Sequence, residues 1–170
     1  EDWPGLTPNE KHLMVSNEGF SLWQLYARFP NETREIISTW TQEMAQGMLL
    51  IENQVQNPSM FDRIPVKIIR NEKDYDRYCY YVAGTVGHLA TRLAIGYYQI
   101  NDGGARRLLD NCESCGRGLQ KTNIVKDFAD DLKRGICYLP DEWLSEVGYT
   151  PLFLEGALPS FKRKVLENVL

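Results

Sequence analysis

The chain lacks any long hydrophobic run. Its longest apolar stretch, at residues 48–51, falls far short of the roughly 18 residues that a membrane-spanning helix requires. It also lacks an excess of basic charge. Its 19 Lys and Arg stand against 23 Asp and Glu, a net charge of −4, so no nucleic-acid partner is expected. Arg106-Arg107, Lys133-Arg134 and Lys162-Arg163-Lys164 are too short for a binding stripe and read as solvated helix ends. Glu1-Asp-Trp-Pro4 shows no secretory signal pattern and no initiator Met, which suggests a processed or excised piece. There is no Gly-rich nucleotide-binding fingerprint, no repeat and no low-complexity segment. Metal-binding side chains of the softer kind are scarce, with two His and four Cys. Cys112 and Cys115 have zinc-ligand spacing, but Cys79 and Cys137 do not supply the second close pair that a structural zinc site needs. Reduced, partly buried thiols in a cytoplasmic protein fit better.

What the chain does have is helical periodicity. Its 170 residues suffice for one domain that buries roughly 70% of the unfolded surface. Thr7-Pro-Asn-Glu10 carries a capping box and predicts a helix that stops near residues 17–19. A short helical piece over residues 20–29 ends at Pro30. Asn31 opens a long amphipathic helix to about Val55, on which Ile36, Ile37, Trp40, Met44, Met48 and Ile51 recur at helical spacing. Residues 57–71, with Pro58 and Pro65, read as a loop in which Val66-Lys-Ile-Ile69 is either a short strand or a lead-in to helix.

Residues 74–98 read as the next long helix. One stripe holds Tyr78, Tyr81, Thr85, His88 and Arg92. Another holds Ala83, Gly87, Ala90 and Ala94, small residues that permit close helix approach or leave room for a bulky apolar ligand. His88 reads as a hydrogen-bonded structural residue and Arg92 as a surface arginine. After a turn at Asn101-Asp-Gly-Gly104, a helix leads to Gln120 and beyond; a short helix is expected at residues 141–147, a loop at 149–159 and a last helix capped by Ser160.

The most informative stretch is Gln120-Lys-Thr-Asn-Ile-Val-Lys-Asp-Phe-Ala-Asp-Asp131. Gln120, Asn123, Asp127 and Asp131 are spaced i, i+3, i+7 and i+11, which places them in one stripe at about 100° per residue. Asp127 and Asp131 are one turn apart and repel unless a cation lies between them. Hard oxygen ligands suit Mg2+, which takes one or two carboxylates and completes its shell with water and phosphate oxygens. Such spacing is also that of an ordinary solvated acidic face. Ile124, Val125 and Phe128 give the helix an apolar side, and Gly135 and Pro140 end it.

This stretch, with Gly135 and Tyr138-Leu-Pro140 after it, resembles the second aspartate-rich motif of the squalene/phytoene synthase family. Tyr78-Cys-Tyr-Tyr-Val-Ala-Gly-Thr-Val-Gly87 resembles that family's other signature, in wording closer to squalene than to phytoene synthases. The resemblance implies an all-α fold, an isoprenoid-synthase-type helical bundle around a central apolar cavity. It implies one partial helical domain over residues 1–170, with the likeness over 30–170 and both ends of the family's domain missing. The implied reaction is head-to-head condensation of two farnesyl diphosphates, through a cyclopropyl diphosphate, to squalene. Mg2+ is implied and, for the squalene-forming branch, NADPH. Carried over by position, Asp127 and Asp131 bind metal, and Gln120, Asn123 and Lys126 hold diphosphate. Tyr78 is catalytic, and Tyr81, Val82, Ala83 and Gly87 line the cavity.

The family's first aspartate-rich motif has no counterpart in residues 1–74. Ile136 and Lys126 stand where the family commonly has Arg. The alternatives are a phytoene or dehydrosqualene-type synthase without reduction, and an inactive helical scaffold that kept the fold. Oily products imply a cytoplasmic protein associated with a membrane surface.

Overall fold

The computed structural model describes residues 5–54, 59–61, 64–146, 148 and 159–169. It divides into two units, residues 1–38 and 39–170. The first holds helix α1 (Pro8–Val15), α2 (Asn17–Arg28) and the opening turns of α3 (Asn31–Gln54). The capping box forms as the sequence predicts: the Thr7 hydroxyl accepts from the Glu10 amide at 3.3 Å, and Glu10 accepts from the Thr7 amide at 2.7 Å. Ser16 then ends α1 in an extended conformation and caps α2 through the Gly19 amide at 3.0 Å. The two helices meet so closely that a Cβ on Gly19 would lie 2.2 Å from the Leu13 carbonyl oxygen.

The second unit continues α3 and adds β1 (Ser59–Phe61), β2 (Ile64–Ile68), α4 (Glu72–Cys79), α5 (Thr85–Tyr98), α6 (Asp102–Lys133), β3 (Ile136–Cys137), α7 (Asp141–Glu146) and α8 (Pro159–Val169). A small sheet of order β1-β2-β3 joins the helices. β1 pairs antiparallel with β2, Ser59 opposite Val66, and β2 runs parallel to β3 with Lys67 opposite Ile136. Val66-Lys-Ile therefore takes the strand option. Its β-branched residues are buried on the core side, and the Lys67 amide donates to the Gly135 carbonyl at 2.8 Å. Gly135 can deliver that carbonyl because it turns the chain out of α6 at φ 74°.

The core gathers around this sheet. Val66 and Leu144 are wholly buried, with Tyr75 at 1% and Trp143 at 2% exposure. Ile124 of α6 and Val165 of α8 complete it. Leu144→Ala should lower unfolding free energy by about 2–5 kcal/mol, read from the urea midpoint. A cost below about 1 kcal/mol would mean that Leu144 does not anchor the core.

The single helix expected over residues 74–98 is interrupted. A π-helical turn, Tyr80–Gly84, separates α4 from α5, and the fully buried Thr85 donates its hydroxyl to the Tyr81 carbonyl at 2.8 Å. Asn101 is an N-cap, bound to the Gly104 amide at 3.0 Å, so α6 starts at once where a free turn was expected. α6 packs on the π-turn and α5 through glycines. A Cβ on Gly87 would lie 2.2 Å from the Cys112 carbonyl oxygen, and one on Gly116 2.2 Å from that of Ala83.

Candidate functional site

Gln120, Asn123, Asp127 and Asp131 all lie within the unbroken α6, so their spacing sets them on one face. Gln120 is half-buried, and Asn123 is exposed. The Asp127 side chain is 50% exposed and 3.5 Å from Lys126 Nζ; that of Asp131 is 16% exposed and 3.6 Å from Arg134 Nη1. Both cations are mostly solvated, so these pairs are worth about 0–1 kcal/mol and yield readily to a stronger cation. Arg134, which the sequence places at a solvated helix end, is thus also the partner of Asp131 three residues before it.

Tyr78 links this stripe to an apolar cavity. Its ring stacks on Tyr138 at 4.6 Å and 15°. Burial, a hydrogen bond with Tyr138 and the nearby Asp131 carboxylate push the Tyr78 hydroxyl well above the usual phenol range. Tyr78 and Tyr138 border a cavity of about 150 Å³ whose apolar wall includes Met48, Ile51, Ile69 and Ile136. Its charged edge is an ion pair between Lys67 and Glu52. Lys67 stands opposite Ile136 in the parallel ladder, so the cavity has a cation beside the position where the family commonly places Arg. Sequence reasoning missed Lys67 and Glu52, because no local pattern ties them to the stripe, and took Tyr138 only as part of the motif that follows it.

The other predicted residues lie at helix contacts. The Tyr81 ring occupies the space a Cβ on Gly47 would need, at 2.0 Å. Ala83 and Gly87 meet α6 as described, and Val82 is half-buried. Among the described residues no group of three His, Cys, Asp or Glu side chains is placed to hold a metal ion. Asp127 and Asp131 thus offer two carboxylates only. That donor set fits Mg2+ shared with phosphate and water, not a metal enclosed by protein.

A helical frame that sets such a stripe beside an aromatic-lined apolar cavity has the isoprenoid-synthase type of fold, and comparison with known proteins agrees. The squalene/phytoene synthase family model matches residues 12–169, and the chain belongs to that family. The chain is 36% identical over 107 residues to the bifunctional lycopene cyclase/phytoene synthase of Arthroderma gypseum, a match covering 59% of this chain and 18% of that protein. It is 33% identical over 171 residues to the squalene synthase of Saccharomyces cerevisiae, covering 97% of this chain and 35% of the relative. The solved ligand complex of TcSQS superposes with a TM-score of 0.67 at 25% identity, covering 97% of this chain and 43% of that one. The chain thus spans about a third or less of these two curated relatives. No described helix is long and apolar enough to cross a membrane.

Proposed function

We propose that this chain is the part of a squalene-type synthase that binds the diphosphate and part of the prenyl chain. The overall reaction is the Mg2+-dependent, head-to-head condensation of two farnesyl diphosphates through a cyclopropyl diphosphate. The single observation that carries this reading is the placing of Tyr78, which borders the apolar cavity and stacks on Tyr138, a few residues past the end of the α6 stripe. An amphiphile with an anionic head and an oily tail matches that pairing of polar stripe and apolar wall.

Asp127 and Asp131 would hold Mg2+, which when bound offsets the charge of a departing diphosphate. Gln120, Asn123 and Lys126 contact the diphosphate, and Lys67 adds a cation at the cavity edge. Tyr78 stays protonated at working pH, so its hydroxyl can donate and its ring can face a carbocation. Tyr81 and Val82 border the prenyl chain as it runs along the helices, within a larger apolar cavity of a single helical domain, while Ala83 and Gly87 hold the wall of that cavity together by close packing on α6. NADPH would supply the hydride of the squalene-forming branch. The protein would work in the cytoplasm against a membrane surface that takes up the oily product. The likeness to a phytoene synthase favours a second outcome, proton loss without reduction.

Calorimetric titration of the chain with a non-reactive farnesyl diphosphate analogue, with and without Mg2+, tests the binding reading. Saturable binding that requires Mg2+ is the expected result. Equal heats with and without the metal would sink it. Products formed from farnesyl diphosphate by the full gene product, with and without NADPH, then separate reduction from proton loss.

A further inference from the structure

The Cys112-Glu-Ser-Cys115 motif has no role in the diphosphate reading, yet its surroundings are chemically organised. Cys112 is buried and Cys115 is exposed. The Cys112 sulfur lies 3.3 Å from His88 Nδ1, and His88 Nε2 lies 3.1 Å from Glu113 Oε2. Arg117 donates from Nε to Glu113 Oε1 at 2.9 Å, and its Nη2 lies 2.8 Å from the same oxygen in an ion pair. Partial burial opposes the Glu113 charge, but the bonds from His88 and Arg117 outweigh it and hold the carboxyl below its usual range.

An ionised carboxylate only accepts hydrogen bonds. His88 Nε2 therefore carries the proton toward Glu113, and Nδ1 turns its lone pair to the Cys112 thiol. Trp40 holds the imidazole plane, stacked at 4.4 Å and 7°. Thiol, imidazole and carboxylate in series is an arrangement that generates thiolate at neutral pH.

Cys115 is one turn further on in α6. Helix geometry sets the two α-carbons about 5 Å apart, inside the disulfide range, and the β-carbons about 5–6 Å apart, about 1 Å beyond it, so closure has to tighten this turn of α6. Helical side chains lean toward the N-terminus, so Cys115 leans over the turn that begins at Cys112. The single Cys112 proton has the Leu109 carbonyl at 3.4 Å as its alternative acceptor, and the sulfur reaches Cys115 by leaving both acceptors as the turn tightens.

We propose that Cys112 and Cys115 form a thiol–disulfide exchange site, with exposed Cys115 as the entry thiol for a low-molecular-weight disulfide and His88 as the base for Cys112. The Cys115 thiolate attacks the small disulfide, forming a mixed disulfide and releasing one small thiolate. The Cys112 proton passes to His88 Nδ1. The Cys112 thiolate then attacks the Cys115 sulfur, forming the Cys112–Cys115 bond and expelling the second small thiolate, which takes the proton back from His88. One small disulfide is reduced to two thiols, and one protein dithiol is oxidised. Closure removes the Cys112–His88 bond beside the point where Gly87 rests on the Cys112 backbone, between α5 and α6. The site is independent of the diphosphate reading.

The test equilibrates the chain in buffers of oxidised and reduced glutathione, quenches by alkylation and maps tryptic peptides. Cleavage after Arg107 and Arg117 leaves both cysteines in one peptide, residues 108–117. Burial pushes the Cys79 and Cys137 thiols up to about 12, so they serve as unreactive internal references. The expected result is a peptide that has lost two hydrogens and resists alkylation. Cys112→Ser should trap a stable glutathione adduct on Cys115. His88→Asn should slow closure at neutral pH about tenfold or more. Glu113→Gln, which keeps an acceptor for Nε2, should slow it a few-fold and serves if His88→Asn does not fold. A Cys115 adduct that accumulates in the unaltered chain without closing would overturn the proposal. So would closure at the unaltered rate in both His88→Asn and Glu113→Gln.

Discussion

Replacing Asp127 and Asp131 together by Ala should abolish Mg2+-dependent binding of a farnesyl diphosphate analogue while leaving the helical fold intact. Asp127 is half-exposed, and each carboxylate is paired with a solvated cation, so loss of these pairs should cost the fold little. Charge-assisted contacts are worth about 1.5–3 kcal/mol each. Loss of both carboxylates should therefore weaken binding on the order of 100-fold or more. Asp131→Ala alone should also let Tyr78 ionise at lower pH, because the Asp131 charge is one of the causes that raise it. Ultraviolet titration of the phenols reads that shift. The sign for stability follows: a folded-state pKa raised above the unfolded value favours folding below the ordinary phenol range, and the gain is lost as pH rises through it. Unchanged Mg2+-dependent affinity in the double variant would remove the diphosphate from this stripe.

Gly116→Ala should be among the most damaging single-methyl changes in the chain. The new Cβ would lie 2.2 Å from the Ala83 carbonyl oxygen, 2.8 Å from its carbon and 3.1 Å from the Gly84 α-carbon. These are backbone atoms of the π-turn, which cannot swing aside as a side chain would. α6 has to lift off the turn, at about 1–3 kcal/mol or more. Gly96→Ala is the control. It sits in α5 with nothing within 4 Å of its would-be Cβ, so it should stabilise by about 0.4–1 kcal/mol. Urea midpoints of the two variants moving in opposite directions is the expected outcome. Equal shifts would mean that the glycine contact does not set the spacing between α6 and the π-turn.

That contact also shows where local reading ends. The cap at Thr7 and the end of α6 at Gly135 depend on residues within a few positions of each other, and the α6 stripe is a matter of period within one helix. Those features were legible in the order of the residues. So was membership of the family, because both of its motifs are contiguous stretches. The small-residue stripe on residues 83–94 left close packing and ligand space equally open. Only the position of α6 decided for close packing at Ala83 and Gly87.

The sheet, the cavity edge and the thiol relay belong to tertiary structure for the same reason. Lys67 meets Ile136 through a strand pairing across about 70 residues of chain, and no periodicity in either segment specifies that register. His88 read as an isolated structural histidine and Cys112 as half of an incomplete zinc motif, because each one's partner lies on the other helix. By itself the sequence determined which residues share a helix face, because backbone geometry within a helix is local. Which faces meet was decided only by packing, where burial of side chains distant in sequence, and glycines that let backbones touch, choose one arrangement among many.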